Sequence, residues 1–131
     1  MSTAVDISLE ERLHDLQNFI REGLILEALQ RFYDPQVTME DNNEPPTVGL
    51  AANMAREQQF LESVKEWLGF EVRSEAVGRD VTMYEAVYDF ITTDGRRVHL
   101  EQVDVAKWKS GKIVEQRFYY DPATTKDVRG E

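Results

Sequence analysis

The second half of the chain has the pattern of successive β-strands, and this feature limits the fold more than any other. Between residues 70 and 120, four segments alternate apolar and polar side chains with the period of two that a half-buried strand requires. They are residues 70–79, 81–92, 96–108 and 112–120. Short turns separate them, and Asp94-Gly95 is a strong hairpin signal. The sequence therefore predicts a four-stranded antiparallel meander.

The first half of the chain is predicted to be mainly helical. A capping box at residues 8–11 opens a first helix with apolar side chains at helical spacing. A second, short helix ends before Pro35, because the residue that precedes a proline avoids the helical region. After a strand-like run, residues 37–41, an apolar stripe predicts a long third helix over residues 49–68, which Gly69 ends. The stripe consists of Leu50, Met54, Leu61, Val64 and Leu68.

Three helices followed by an antiparallel meander indicate an α+β domain. To bury the stripe, the sheet has to curve round the third helix, and the resulting cone has an open end that suits a small-molecule pocket. The 131 residues suffice for one domain with one core. This core is expected to span residues 8–122, and the tail after it, residues 123–131, is expected to be frayed from residue 124 onward.

The composition narrows the function classes. A formal net charge of −10 argues against nonspecific nucleic-acid binding and against adhesion to anionic membranes. Cysteine is absent, and no apolar run approaches the roughly 20 residues of a membrane span. No signal peptide is apparent, so a cytoplasmic location is expected. The two histidines, His14 and His99, lack the carboxylate spacing of a metal site, and neither a metal nor a cofactor is expected.

Two carboxylates stand within apolar strand-like segments. Asp41 closes the short run, and Asp104 lies inside the third segment of the meander. A charge inside a core is costly, so each carboxylate either points to water or has a function. Asp41 is then either a polar strand end before Asn42 or a group inside the cone beside Met39. In the second case, apolar neighbours are expected to raise its pKa.

The facing of Asp104 depends on which side of its strand is the inner one. Gln102 and Trp108 share its face, whereas Val103 and Val105 lie on the opposite face. If the first face is inner, Gln102 and Asp104 are polar groups inside the cone and Trp108 forms a wall. The two valines then lie on the outer face of the sheet. Because large exposed apolar patches are uncommon on monomers, a homodimer through this face is expected.

The lining of the pocket follows from the strand faces. In the last segment the inner set is expected to be Val114, Gln116, Phe118 and Tyr120. For residues 81–92 both faces stay open, since a single bulge inverts the choice. The expected ligand-binding residues are Met39, Met54, Gln102, Trp108, Gln116, Phe118 and Tyr120.

In this order and spacing, the segments resemble the NTF2-like superfamily and, most closely, its SnoaL-like branch of polyketide cyclase-like proteins. The similarity lies in residues 32–41, in the loop from Glu44-Pro45 to Gly49 that opens a helix, and in residues 111–121. It covers roughly residues 8–122. The resemblance implies a cone-shaped α+β fold and says little about chemistry, because one fold hosts many functions.

The resemblance also implies roles for particular residues. In ketosteroid isomerases, the general base and the protonated oxyanion-hole aspartate correspond to Asp41 and Asp104. Their oxyanion-hole tyrosine corresponds to Leu16, so this chain departs from that pattern. SnoaL-type cyclases place an essential acid on the late strands, where Asp104 and Asp121 are the candidates. Relatives of limonene-epoxide hydrolase use an arginine between two aspartates, and Arg117 is the candidate here.

The sequence favours a cofactor-independent enzyme that acts on a small, largely apolar carbonyl compound. In the roles that the resemblance implies, Asp41 is expected to move a proton at carbon, and a neutral Asp104 is expected to hydrogen-bond the developing enolate. The alternative is a noncatalytic ligand-binding or assembly module that uses the same cone. A third, less favoured hypothesis is that an aspartate activates water to open an epoxide.

Overall fold

The computed structural model describes residues 8–125. The helices are α1 (Leu9–Arg21), α2 (Ile25–Phe32) and α3 (Leu50–Glu62). The strands are β1 (Tyr33–Asp41), β2 (Thr47–Val48), β3 (Val64–Val77), β4 (Val81–Thr92), β5 (Arg97–Lys109) and β6 (Lys112–Tyr120), followed by a 3₁₀ turn at Pro122–Thr124. Within residues 8–125, no helix has the length and apolar character needed to cross a membrane.

The first helix begins where the capping box predicts it. The backbone N–H of Glu11 donates to Oγ of Ser8 at 3.1 Å, which satisfies one of the free N–H groups of the first turn. The apolar side chains of α1 face the sheet, and Leu13, Leu16 and Ile20 are buried. Together with the buried side chains of α2 they cover the concave face of the sheet. The prediction for this helix is confirmed.

The third helix is shorter than predicted. α3 ends at Glu62, and residues 64–68 already belong to β3. Val64 pairs with Thr92 and Trp67 with Phe90, so bonds to the neighbouring strand replace the helical bonds that the apolar spacing predicted. Valine and tryptophan favour strands, and here sheet pairing overrides the helical period. Gly69 consequently lies inside a strand and ends no helix.

The six strands form one curved, unclosed sheet with the order β2-β1-β6-β5-β4-β3. The meander from β3 to β6 is antiparallel, as predicted, and β1 joins it parallel to β6. In β4 the buried side chains include Tyr84, Ala86 and Phe90, which decides the facing that the sequence left open. The α+β cone is therefore confirmed, with the helices on its concave face.

A bulge changes the inner set of the last strand. Trp108 pairs with Ile113 whereas Lys107 pairs with Glu115, so one residue of β6, Val114, has no partner across the pair. Ile113 is consequently buried and Val114 only half-buried. The prediction that Val114 faces inward was wrong, because the extra residue shifts the alternation at this point.

The predicted tail is ordered at its start. The backbone N–H of Thr125 donates to the carbonyl of Pro122 at 3.2 Å, and Thr125 is buried. The expectation of a frayed segment was therefore wrong for this residue, because the 3₁₀ turn folds it back onto the domain. Residues 126–131 lie outside the described part of the chain.

Candidate functional site

A partly open cavity of about 50 Å³ lies between the three helices and the concave face of the sheet. Most of its wall is apolar, with Leu16, Ile20 and Leu29 from the helices and Phe90 and Leu100 from the sheet. The polar groups in the wall are the side chains of Tyr33, Glu57, Tyr84, Tyr88, Gln102, Asp104 and Gln116 and the indole N–H of Trp67. An apolar cavity with a few convergent polar groups is the usual form of a small-molecule site.

Asp104 is the central carboxylate of the cavity. The strict alternation of β5 places it on the inner face, where its side chain is only 2% exposed. Its Oδ1 accepts a hydrogen bond from Nε2 of Gln102 at 2.7 Å, and its Oδ2 accepts one from the hydroxyl of Tyr88 at 3.1 Å. Both of these donors are neutral side chains.

The Tyr84 hydroxyl and Gln102 Oε1 are buried without a hydrogen bond inside residues 8–125. Tyr84 is the direct cross-strand partner of Asp104, and its hydroxyl approaches both Asp104 and Tyr88 in contacts of hydrogen-bond type that fall short of ordinary hydrogen-bond geometry. A buried polar group without a partner costs about 1–3 kcal/mol. Because both residues line the cavity, a ligand carbonyl is able to accept from the Tyr84 hydroxyl, and a ligand hydroxyl is able to donate to Gln102 Oε1.

Three tyrosines near Asp104 remain protonated at neutral pH. Burial raises the pKa of Tyr33, Tyr84 and Tyr88 well above the ordinary tyrosine value, and the Asp104 carboxylate adds to the increase. Tyr33 donates its hydroxyl hydrogen to Oε1 of Gln116. The three phenols are therefore hydrogen-bond donors, not bases.

Asp41 lies near this cavity but not in its wall. Its side chain is 3% exposed, and its Oδ2 accepts from Nη2 of Arg56 at 2.7 Å and from the hydroxyl of Tyr120 at 2.5 Å. Asp41 pairs with Phe118 across β1 and β6, and Phe118 pairs with Asp104 across β6 and β5. The two carboxylates thus share one row of the sheet, with Phe118 between them.

A model of the SnoaL-like polyketide cyclase family matches residues 13–127. The chain belongs to this family. The match confirms the resemblance on which the sequence analysis relied. Among curated proteins, none matches the chain.

Solved structures share the fold of this SnoaL-like chain. A SnoaL-like polyketide cyclase candidate from Mesorhizobium loti is 24% identical, with a TM-score of 0.75 over 87% of this chain and 100% of that one. An NTF2-like protein of unknown function from Burkholderia pseudomallei is 12% identical, with a TM-score of 0.78 over 93% and 97%. An isomerase candidate from Bacillus subtilis is 18% identical, with a TM-score of 0.75 over 92% and 91%.

The structure of the SnoaL-like chain brings together some of the predicted site residues. Met39, Gln102, Asp104, Gln116 and Phe118 line the cavity. Asp41, Met54, Trp108 and Tyr120 do not.

The predicted residues that lie outside the wall have other contacts. The Trp108 indole donates to Oγ1 of Thr82 at 2.9 Å inside the core, and Met54 packs partly buried against that core. Tyr120 donates to Asp41. These residues support the walls of the cavity without facing into it.

The two further candidates from the sequence lie on the surface. Arg117 is exposed on the outer face, with its Nε 3.7 Å from a carboxylate oxygen of both Glu40 and Glu115. Asp121 is exposed and accepts the backbone N–H of Ala123 at 3.0 Å, which makes it the cap of the 3₁₀ turn.

Two charged residues of α3 lie near the site although their place in the sequence did not single them out. Arg56 pairs with Asp41, and Glu57 lies in the cavity wall. Glu57 had a readable signal, since it stands three residues after Met54 and four before Leu61, inside the apolar stripe of the helix. The argument that singled out Asp104, a charge on an apolar face, applies equally to this glutamate.

Proposed function

We propose that this protein is an isomerase- or cyclase-type enzyme that moves a proton at a carbon next to the carbonyl group of a small, largely apolar compound. Membership of the SnoaL-like polyketide cyclase family supports this reaction class. One observation carries the proposal. The buried Tyr84 hydroxyl and the carboxyl group of Asp104 face each other across paired strands in the wall of an apolar cavity.

The reaction needs a site that stabilises charge on the carbonyl oxygen. When a proton leaves the neighbouring carbon, negative charge develops on this oxygen, and donors fixed in advance stabilise it. The Tyr84 hydroxyl is one donor, and Asp104 is the other when it carries a proton; when ionised, it only accepts hydrogen bonds, as it does from Tyr88 and Gln102. The apolar wall strengthens both hydrogen bonds, because electrostatic interactions are stronger away from water.

The cavity indicates a small substrate. Its volume is about 50 Å³, and Leu16 is part of the apolar wall at the position of the ketosteroid isomerase tyrosine. About 50 Å³ is less than the roughly 150 Å³ of a cavity that holds benzene, so even a monocyclic ketone fits only if the partly open mouth widens, and a steroid needs a far larger opening. A monocyclic ketone or enone therefore suits this site better than a steroid.

Direct proton transfer by Asp41 stays a prediction. Its carboxylate is held by Arg56 and Tyr120, and Phe118 stands between it and Asp104. To reach a substrate in the cavity, the carboxylate has to pass the Phe118 ring. Its contacts support a second role, in which Asp41 anchors α3 to β1.

We also propose that two copies of the chain associate through the outer face of the meander. Val103 is 38% exposed and Met83 46% exposed there, Met83 pairs with Val105, and Val103 pairs with Tyr119. Contiguous exposed apolar surface is unusual on a monomer. Light scattering is expected to show a dimer, and Val103→Lys is expected to shift it toward monomer. A wild-type monomer at high protein concentration contradicts the proposal.

Hydrogen exchange at carbon tests the proposed activity. The protein is mixed with cyclohex-3-enone in D₂O, and proton NMR follows both deuterium uptake next to the carbonyl and conversion to the conjugated enone. The wild type is expected to exceed the buffer rate, and Asp104→Asn to lower the enzymatic rate by about 10²–10³-fold. Binding of the enone without exchange contradicts the enzyme and favours the noncatalytic ligand-binding module.

A further inference from the structure

Glu57 is the second carboxylate in the cavity wall, and the oxyanion site described above does not use it. It belongs to α3, whereas Asp104 belongs to β5, so the two groups approach the cavity from different elements. Asn53 and Phe60, one turn to either side of it, are the buried side chains of α3. Glu57 therefore lies on the inward face of its helix.

The contacts of Glu57 differ from those of the other carboxylates near the site. Inside residues 8–125 its side chain forms no hydrogen bond and no ion pair, and it is only half-buried. The neighbouring cation, Arg56, is bound to Asp41 instead. Burial raises the pKa of Tyr33 most, and the Asp104 and then the Glu57 carboxylate add to the increase, so both carboxylates lie close enough to act on this one buried phenol.

We propose that Glu57 is the catalytic base that removes the proton from the substrate carbon, opposite the oxyanion site formed by Tyr84 and Asp104. This inference rests on the proposed function and deepens it. Glu57 is half-buried in the wall of a partly open cavity, so its carboxylate is accessible to a substrate there. Because the base belongs to α3 and the oxyanion donors belong to β4 and β5, a substrate in the cavity is able to contact both.

The step conserves atoms and charge. Glu57 takes the proton from the carbon next to the carbonyl, and the electrons of the broken C–H bond form a carbon–carbon double bond. The carbonyl π electrons move to the oxygen, which accepts hydrogen bonds from Tyr84 and neutral Asp104. Glu57 then returns the proton to the far end of the conjugated system. The product is an isomer of the substrate, and no oxidant, reductant or co-reactant is consumed.

Matched variants of α3 test the role of Glu57 in the cyclohex-3-enone exchange assay. Glu57→Gln keeps the shape of the side chain and removes no described hydrogen bond, and Glu62→Gln, at the exposed end of the same helix, is the control. We expect Glu57→Gln to lower the rate by about 10²–10⁴-fold with unchanged binding of the enone by NMR titration. Glu57→Asp is expected to recover part of the rate, and Glu62→Gln to behave as wild type.

The split between binding and turnover separates a base from a structural residue, because the loss of a base lowers the rate and leaves enone binding intact. A wild-type rate in Glu57→Gln, with a loss in Asp104→Asn, overturns the role of Glu57 and leaves the proposed function standing. The role of Glu57 is also overturned, and the proposed function still stands, if only Asp41→Asn abolishes exchange and circular dichroism shows that this variant is folded. Absence of exchange in the wild type overturns the proposed function itself.

Discussion

The two buried aspartates of the sheet occupy equivalent positions and have different surroundings. Both lie in one cross-strand row, separated by Phe118, and both are almost inaccessible to water. Asp41 is bound by the guanidinium of Arg56, whereas Asp104 accepts hydrogen bonds from neutral donors in a cavity wall. Burial alone thus does not identify a reactive carboxylate. The charge of its hydrogen-bond partner and its access to a ligand distinguish the two aspartates.

The largest effect on stability is expected when Asp41 loses its cation. Arg56→Ala leaves a buried carboxylate without this partner, and such a loss typically costs about 3–5 kcal/mol. Because the Arg56 side chain is 30% exposed, the lower end, about 3 kcal/mol, is expected for the free energy of unfolding in urea. The control is Arg73→Ala, which breaks an exposed pair with Glu101 and is expected to cost at most about 1 kcal/mol. Equal losses of unfolding free energy in Arg56→Ala and Arg73→Ala contradict the conclusion that Asp41 depends on its buried ion pair.

Two tyrosine substitutions compare a structural hydroxyl with a ligand-facing one. Tyr33→Phe removes the donor to the buried Gln116 and is expected to cost about 1–3 kcal/mol in unfolding free energy. Tyr84→Phe removes a hydroxyl without a described hydrogen bond, so it is expected to cost less than about 1 kcal/mol. It should nevertheless lower the exchange rate by about 10²-fold. If Tyr84→Phe loses more unfolding free energy than Tyr33→Phe, the Tyr84 hydroxyl stabilises the fold and is not reserved for a ligand.

Alkaline pH gives a further test of the tyrosines near Asp104. Their pKa values are raised in the folded protein, whereas in the unfolded chain a tyrosine titrates near about pH 10. Above this pH the unfolded chain releases protons that the folded protein keeps, so stability falls as pH rises. Each buried tyrosine contributes about 1.4 kcal/mol per pH unit. Unfolding of wild type and Tyr33→Phe between about pH 9 and pH 11 should show a shallower loss in the variant, and parallel curves refute this.

The smallest expected effect concerns the turnover of a large substrate. Leu16 supplies no hydroxyl, and the cavity is small, so turnover of a 3-oxo-Δ5 steroid is expected to be far below the diffusional ceiling of about 10⁸ M⁻¹s⁻¹. An absorbance assay for the conjugated steroid measures it directly. Efficient turnover shows that the cavity opens widely and that Tyr84 fully replaces the missing tyrosine.

Most of the fold was predictable because the determining patterns are local. The period of two fixed the bounds of β4 and β6 at the residues observed, and the capping box fixed the start of α1. The end of α3 was not predictable, since residues 61, 64 and 68 fit a helical period and only pairing with β4 shows that residues 64–68 form a strand. The bulge opposite Trp108 leaves no local signal either.

The candidate site was predictable only in part. The alternation of β5 correctly placed Asp104 on one face with Gln102 and Trp108, but the sequence left open which face is inner, and the structure decides it. The partner of Asp41 did not, because Arg56 reaches it from a helix that is fifteen residues away, and one sequence carries no information on that contact. Glu57 was within reach of the same argument that found Asp104, and it was missed because charged residues on helices are usually solvated.

The most direct test of the contrast between the two aspartates is NMR of protein labelled with ¹³C at the aspartate carboxyl groups. Phenol serves as a small planar mimic of an enolate, and the resonances of the two residues are identified by their loss in Asp104→Asn and Asp41→Asn. On titration with phenol, the Asp104 carboxyl resonance is expected to move strongly while that of Asp41 stays in place. A shift at Asp41 with none at Asp104 contradicts the account.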